Sequence, residues 1–220
     1  MKCVMPCAGE SSRMSYVPKH LVQIGGKPLL LHVIDMWKDY VDAFVFVLKK
    51  SATYLWEYLP ENSVVVFQDE PRGLANAILR AEGCVSGRFV VNLSDCLYKG
   101  RFEDKDLGLG VGVWRTDDLN ELNKSYLVKE HNGLVSEVIE KPDLKEVRTK
   151  MNCGMGTYFL DERVFDYIRK ARVTPGGGDF TEVLQDMIDA GEKIMSIWFE
   201  GTYINVTHPE DLERAEEMFK

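Results

Sequence analysis

Residues 2–14 read KCVMPCAGESSRM, and this stretch decides the fold. Residues 2–7 are mostly apolar and typical of a buried β-strand, whereas small and polar residues follow from Ala8 to about Lys19. Pro28 then opens a helical pattern with apolar residues near the 3.6-residue period. A strand, a small-residue loop and a helix in this order predict an α/β fold.

Short apolar runs and helical patterns alternate along the rest of the first half. Strands are predicted at residues 43–48, 63–67 and 89–93, and helices at 73–85 and around Leu55 and Tyr58, the latter with Ser51 as its N-cap. Strands and helices that alternate at this spacing predict a Rossmann-like, doubly wound, mixed and mostly parallel sheet with helices on both faces.

The second half is less regular. The turn signal Asn132-Gly133 predicts a hairpin, and the run 175–178 predicts a flexible loop too short to link separate domains. The predicted strands are 109–115, 126–130, 135–140 and 156–160, and the predicted helices are 163–170, 180–190 and 209–219.

Composition limits the partners and the compartment. The net charge of −8 disfavours binding to nucleic acid, because the protein would repel a phosphate polymer. The five cysteines are scattered without a C-x-x-C pair, which favours reduced thiols. Neither a signal peptide nor an apolar run of about 20 residues is present, so we expect a cytoplasmic protein without membrane partners.

The loop after the first strand carries the first chemical signal. The small residues around Ala8 and Gly9 allow backbone N–H groups to approach phosphates, and Arg13 and Lys19 supply positive charge. The loop matches neither the P-loop nor the G-x-G-x-x-G fingerprint, which argues against an ATPase or a dehydrogenase. Taken alone, a polar turn is an equally good interpretation.

Three further signals follow strand ends or helix starts. Gln68 precedes the helix that starts at Gly73, and its amide offers one donor and one acceptor to a base such as uracil or thymine. Asp95 follows a buried strand, where a carboxylate suits magnesium. Glu140 and Lys141 end a hairpin strand and could bind hydroxyl and phosphate groups. Each signal alone also fits a loop, a cap or a surface ion pair.

Together, in their order and spacing, these motifs resemble those of the sugar-1-phosphate nucleotidylyltransferases. Residues 6–14 are similar to the P-A-A-G-x-G-[ST]-R-[ML] loop of that family, and residues 26–34 to its G-K-P-L-L-x-H-V-I segment. Further similar segments are 18–19 (P-K), 68–77 (Q-x4-G-L-A-x-A), 93–100 (L-G-D-N-L-Y-x-G), 140–142 (E-K-P), 156–158 (G-[IL]-Y), 179–182 ([ED]-[LI]-T-[DE]) and 203–215 (W-x-D-[VI]-G-T-P-E-D-L-x-x-A). The resemblance covers essentially the whole chain.

The resemblance implies an activity and a domain plan. A phosphate oxygen of a sugar 1-phosphate would attack the α-phosphorus of a nucleoside triphosphate, and pyrophosphate would leave. We expect one nucleotidyltransferase domain over residues 1–220 with the fold of the nucleotide-diphospho-sugar transferases. Its nucleotide-binding half would span about 1–105 and its sugar-phosphate-binding half about 106–220. We expect no β-helix domain after the final helix, of the kind that some relatives carry, and therefore no acetyltransferase activity.

The resemblance also implies roles for individual residues. Arg13 would hold the leaving pyrophosphate, Lys19 the α-phosphate and Lys141 the acceptor phosphate. Magnesium, the expected cofactor, would bind Asp95 and Asn205. The remaining expected site residues are Ala8, Gly9, Gln68 and Gly73 for the nucleotide, and Tyr126, Glu140, Tyr158 and Asp179 for the sugar phosphate.

The chain departs from the family pattern at three positions. Ser11 replaces a glycine of the loop, Leu127 replaces the glycine after the tyrosine of the sugar site, and Asn205 replaces a magnesium-binding aspartate. UTP or dTTP is favoured because of Gln68. The alternatives are a CTP-dependent cytidylyltransferase of a polyol or sugar phosphate, and a non-catalytic regulatory relative. A homo-oligomer is compatible with the resemblance.

Overall fold

The computed structural model describes residues 1–9, 17–70, 72–103, 108–140, 142, 149–171 and 180–220. The strands are β1 (Lys2–Pro6), β2 (Gln23–Ile24), β3 (Lys27–Pro28), β4 (Ala43–Leu48), β5 (Ser63–Phe67), β6 (Arg88–Asn92), β7 (Cys96–Phe102), β8 (Gly110–Thr116), β9 (Tyr126–His131), β10 (Leu134–Glu140), β11 (Met151–Asp161) and β12 (Met195–Asn205). The α-helices are α1 (Leu29–Trp37), α2 (Gly73–Arg80), α3 (Leu119–Asn123), α4 (Arg163–Lys170), α5 (Phe180–Asp189) and α6 (Pro209–Phe219). Among the described helices, none is both long and apolar enough to cross a bilayer.

One mixed sheet organises the described part of the chain. Its strand order is β5-β4-β1-β6-β11-β8-β12-β10-β9, with β7 paired to β12. The first four strands of this order are parallel. Strand β11 runs antiparallel to β6 and β8, and it joins the parallel strands to those of the second half. The predicted Rossmann-like α/β class with a mixed sheet is confirmed.

Side chains alternate across the sheet and build two apolar cores. In β4, Phe44 and Phe46 face the core that includes α1 and α6, whereas Val45 and Val47 face the core that includes α2, α4 and α5. Both faces of the strand are therefore buried, which explains why its sequence is a continuous apolar run.

Several elements match the sequence predictions closely. The bounds of β4, β5, α4 and α6 are those predicted. The hairpin turn at Asn132-Gly133 is also confirmed, with positive φ angles of 51° and 77° as a two-residue turn of this type requires.

Other predictions need correction. Ser51 does not cap a helix, because the short 3₁₀ helix Thr53–Tyr58 begins after Ala52 and no side chain caps it. The helix predicted at 73–85 ends at Arg80 and continues as the 3₁₀ turn Glu82–Cys84. Strand β11 is longer than the predicted 156–160.

Strands β7 and β12 were not predicted, and α3 was missed as well. Gly100 of β7 lies opposite Gly201 of β12, and a Cβ on either residue would overlap a backbone carbonyl of the other strand. These glycines, with polar neighbours, interrupt the apolar pattern by which strands are recognised in a sequence.

Gly154 in β11 allows Tyr126 of β9 to lie flat against the sheet. A Cβ built on Gly154 would overlap the aromatic ring of Tyr126, which is 4% exposed. Any side chain at this position would therefore displace the ring.

Gly154→Ala should lower the free energy of unfolding by about 2 kcal/mol, because the added methyl group overpacks the contact with Tyr126. Gly83→Ala is the matched control, since no atom lies within 4 Å of a Cβ at that position. Urea denaturation of both variants measures the difference. Equal stability of the two variants would show that the Tyr126 ring is not confined by Gly154.

Candidate active site

The described part of the site lies where β1 and β6 end. The loop that begins with Cys7 follows β1, and its residue Ala8 is buried while Gly9 is exposed. Asp95 lies in the turn between β6 and β7, and Ser94 before it hydrogen-bonds to the carbonyl oxygen of Pro6 at 2.9 Å. The carboxyl ends of parallel strands are the usual place for ligands in such sheets.

An ion pair joins the loop to this turn. The Nζ atom of Lys19 lies 2.7 Å from Oδ2 of Asp95, and the two side chains are 15% and 28% exposed. The sequence placed these residues in one site, and the structure brings them into contact.

Asn205 lies beside Asp95 at the end of β12. The backbone N–H of Val206 donates to the carbonyl oxygen of Asp95 at 2.9 Å, and Oδ1 of Asn205 accepts a hydrogen bond from Oγ1 of Thr207 at 2.8 Å. A carbonyl oxygen has two lone pairs, so the amide oxygen can still accept a second partner.

The residues beside Asp95 suit a magnesium ion bound together with phosphates. No group of three or more His, Cys, Asp and Glu side chains that could hold a metal occurs in the described ranges. Magnesium, however, is usually held by one or two carboxylates together with substrate phosphates and water. The Asp95 carboxylate and the Asn205 amide oxygen are hard oxygen donors of this kind.

Gln68 is held in one orientation. Its Nε2 atom donates to the carbonyl oxygen of Gly73 at 3.2 Å and to Oδ1 of Asn76 at 3.0 Å. A backbone carbonyl only accepts, so this contact fixes which side of the amide is the nitrogen. Both N–H groups have partners within the protein, and the amide has only its oxygen left for a ligand. The expectation from the sequence, that the amide would also donate a hydrogen bond to a base, is therefore not met in this orientation.

Gly73 starts α2 with a φ of 78°, a conformation that favours glycine. The residue before it, Arg72, makes no side-chain hydrogen bond to cap the helix. The first backbone N–H groups of α2 therefore lack a capping side chain, close to the Gln68 amide.

A small cleft of about 150 Å³ opens beside Asn205. The rings of Tyr126 and Tyr158 are stacked there at 6.3 Å, and Phe180 packs edge-on against Tyr158 at 5.0 Å. Glu140 accepts a hydrogen bond from Oγ1 of Thr181 at 3.2 Å. Described residues that line the cleft include Lys124, Tyr126, Glu140, Tyr158, Thr181 and Asn205.

The two tyrosines keep their protons at neutral pH. Burial raises the pKa of both Tyr126 and Tyr158 above the usual value of 10.0. The hydroxyl of Tyr126 is buried, and its interaction with the Tyr158 side chain contributes to the pKa shifts of both residues.

Three expected site residues lie outside the described part of the chain. These are Arg13 in the loop after β1, Lys141 after β10, and Asp179 before α5. Their positions relative to Asp95 stay predictions.

Behind Asn205 lies a cluster of charged residues that sequence reasoning missed. Lys124 donates to the carbonyl oxygen of Asn205 and to Oε1 of Glu121, both at 3.4 Å, and it also contacts Asp211. Arg214 pairs with Glu121 at 2.7 Å. The cluster joins α3 to the end of β12 and to α6, and α3 is far from the other two in the sequence, so the pairing gave no local signal.

Asp211 connects this cluster to the backbone at the start of α6. Its Oδ2 accepts hydrogen bonds from the backbone N–H groups of Thr207 and His208, each at 2.8 Å. Burial acts to raise the pKa of Asp211, but the bonds from Lys124 and from these N–H groups hold it below the ordinary value of 3.8. The carboxylate therefore stabilises the start of α6 in its charged form.

Comparisons with known proteins give a family match and several relatives. The family model described as nucleotidyl transferase matches residues 13–218. The chain is 26% identical over 223 residues to the bifunctional protein GlmU of Methanocaldococcus jannaschii, covering 98% of this chain and 53% of that protein. It is 26% identical over 238 residues to the UTP–glucose-1-phosphate uridylyltransferase AglF of Haloferax volcanii, covering 100% of this chain and 97% of that protein. The chain spans about half the length of the first of these curated relatives.

Solved structures show the same fold at low sequence identity. A UDP-glucose pyrophosphorylase in complex with UDP-glucose superposes with a TM-score of 0.84 at 19% identity, covering 99% of this chain and 97% of that one. The inositol-1-phosphate CTP transferase from T. maritima superposes with a TM-score of 0.83 at 21% identity, covering 100% and 95%.

Asp211→Asn should lower the free energy of unfolding by about 3 kcal/mol at pH 7, because Lys124 loses one of its two buried carboxylate partners. The pKa of Asp211 is depressed in the folded state, so its contribution is present above the unfolded value of 3.8 and is lost as the pH falls through the folded value. The gap between the two proteins should therefore narrow below about pH 4.

Denaturation at several pH values measures this gap, with the exposed Glu210→Gln on the same helix as the control. A gap that stays constant between pH 7 and pH 3 would show that the Asp211 charge does not contribute.

Proposed function

The chain belongs to the nucleotidyl transferase family, and on that basis we propose that it transfers a nucleoside monophosphate from a nucleoside triphosphate to a sugar 1-phosphate. Pyrophosphate leaves and a nucleotide sugar forms. The observation that carries the proposal is the contact between Lys19 and Asp95 at 2.7 Å, at the strand ends and beside the cleft that Asn205 lines. Positive charge, a hard oxygen donor and an acceptor pocket are what in-line transfer at a phosphate needs.

The triphosphate binds at the loop after β1. Backbone N–H groups around Ala8 and Gly9 approach the phosphates, Lys19 neutralises charge at the α-phosphate, and Arg13 binds the leaving pyrophosphate. Lys19 exchanges its contact with Asp95 for the phosphate when the triphosphate enters. Both partners are partly exposed, so this exchange costs little.

Asp95 and Asn205 are proposed to hold magnesium together with the phosphates. When bound, the metal neutralises charge that develops on the phosphate oxygens. Asp95 supplies the charged ligand, and Asn205 supplies a neutral amide oxygen that Thr207 orients. A site with one carboxylate binds the ion less tightly than a site with two.

The sugar 1-phosphate is proposed to occupy the cleft. Glu140 accepts hydrogen bonds from its hydroxyl groups, with Tyr126, Tyr158 and Asp179 shaping the pocket. Lys141 is proposed to hold the acceptor phosphate so that its oxygen faces the α-phosphorus.

UTP or dTTP is the proposed donor. The relative from Haloferax volcanii, of which this chain covers 97%, is named as a uridylyltransferase that uses UTP, and this supports a uracil-type base. The Gln68 oxygen would accept from an N–H group of the base, and the N–H groups at the start of α2 would donate to a base oxygen. Cytosine can satisfy the same groups, and the structural match to a CTP transferase makes CTP the second candidate.

The test is pyrophosphate release with a panel of triphosphates and sugar 1-phosphates, at saturating magnesium. UTP or dTTP with one sugar 1-phosphate should give turnover, and Asp95→Asn should reduce kcat by at least about a hundredfold. The exposed Asp39→Asn should match the wild type. Binding of a triphosphate without turnover for any pair would indicate a regulatory protein instead, and full activity of Asp95→Asn would remove Asp95 from the site.

Asn205→Asp should lower the magnesium concentration that gives half of the maximal rate by about three- to tenfold, because a charged ligand replaces a neutral one. The exposed Asn120→Asp adds the same charge away from the cleft and serves as the control. A magnesium titration of the three proteins measures the effect. An unchanged requirement in Asn205→Asp would show that residue 205 does not contact the metal.

A further inference from the structure

Ser94 joins the two ends of the loop after β1. Its hydroxyl contacts the carbonyl oxygen of Pro6, where the loop starts, at 2.9 Å. It also contacts Nε2 of His20, just beyond the end of the loop, at 3.0 Å. One hydroxyl group thus connects β1 to the 3₁₀ turn Lys19–Leu21 across a segment that includes Gly9.

The direction of both hydrogen bonds follows from the chemistry of the three groups. A backbone carbonyl only accepts, so Ser94 uses its single hydrogen on Pro6. His20 must then donate through Nε2, which defines its neutral tautomer with Nδ1 unprotonated. Nδ1 is buried without a partner within the protein. Burial also lowers the pKa of His20 to about 4, so the ring stays neutral at pH 7.

Two adjacent pairs therefore link the same two segments. Lys19 contacts Asp95 through an ion pair that is partly exposed, whereas His20 and Ser94 are only 5% and 6% exposed. Substrate phosphates compete for Lys19, and a metal competes for Asp95. Neither competitor replaces the contacts of Ser94, because its hydrogen bonds are made within the protein interior.

We propose that His20 and Ser94 are positioning residues that hold the end of β1 and Lys19 in register with Asp95 when the Lys19–Asp95 pair is broken by the substrate. This inference rests on the proposed function. His20 and Ser94 do not touch the reacting groups. They keep Lys19 and the backbone N–H groups of Ala8 and Gly9 next to Asp95, so that the conformational entropy lost when phosphates bind is smaller.

A purely structural role would have a different signature. Any buried serine hydroxyl contributes to stability, and Ser196 of β12 provides a match, because it is 7% exposed and its hydroxyl contacts Glu130 at 3.4 Å. Loss of either hydroxyl should reduce stability to a similar degree. Only loss of the Ser94 hydroxyl should affect the binding of phosphates.

The experiment compares Ser94→Ala with Ser196→Ala. The KM for the triphosphate and the Kd for magnesium pyrophosphate, measured by calorimetry, should each rise about tenfold in Ser94→Ala and stay within about twofold of the wild type in Ser196→Ala. The KM for the sugar 1-phosphate should not change in either variant. Magnesium pyrophosphate is the probe because its binding does not depend on the base or on turnover.

A second measurement uses the wild-type protein and requires no variant. A long-range ¹H–¹⁵N NMR spectrum should show His20 with its proton on Nε2.

Ser94→Thr retains the hydroxyl and serves as the conservative variant. It should keep the affinity for magnesium pyrophosphate near that of the wild type.

The inference is overturned if His20 carries its proton on Nδ1, or if the two alanine variants bind magnesium pyrophosphate equally well. These outcomes differ from failure of the proposed function. If the proposed function were wrong, the wild-type protein itself would release no pyrophosphate with any pair of substrates.

Discussion

The site depends on the turn at residues 93–96, which is bonded to three strands that are distant in sequence. The N–H of Leu93 donates to Gly156 in β11 at 2.8 Å, and the carbonyl oxygen of Asp95 accepts from Val206, after β12, at 2.9 Å. The Ser94 hydroxyl reaches the end of β1. Parallel and antiparallel parts of the sheet therefore meet at Asp95. A shift of any of these strands would move the carboxylate relative to the loop or to the cleft.

The site contains two kinds of contact. A ligand can replace some of them easily, whereas it leaves the others in place. Binding of phosphates to an acidic protein would need local positive charge, which Lys19 carries while it is paired with Asp95. Contacts behind the site are buried and are made between groups of the protein itself. Asn92, for example, accepts hydrogen bonds from Tyr98 at 3.1 Å and Thr157 at 2.8 Å, and this fixes the end of β6 beneath the turn. Ligands can therefore replace the exposed contacts without disturbing the buried contacts that support the site.

Local patterns in the sequence were enough to locate much of this arrangement. The apolar run of β4 and the helical period of α1 depend on neighbouring residues, and Asp95 followed from its place after a buried strand. The orientation of the Gln68 amide was not predictable, because it depends on contacts with the carbonyl oxygen of Gly73 and with Asn76 that form only when α2 folds against it. Lys124 and its partners were missed for the same reason, since their pairing exists only once α3 and α6 come together. Contacts between separate elements leave no periodic pattern in the sequence from which they could be predicted.

The charged cluster behind Asn205 connects the cleft to α6. Lys124 lines the cleft and also contacts Asp211, which holds the first turn of α6. A ligand that strengthens the contact between Lys124 and Asp211 would stabilise α6, and a more stable α6 would favour that ligand in turn, because coupling free energies are reciprocal. Backbone amides of α6 would then exchange more slowly with solvent deuterium when the cleft is filled. Hydrogen exchange in α6 would therefore report whether the cleft is occupied.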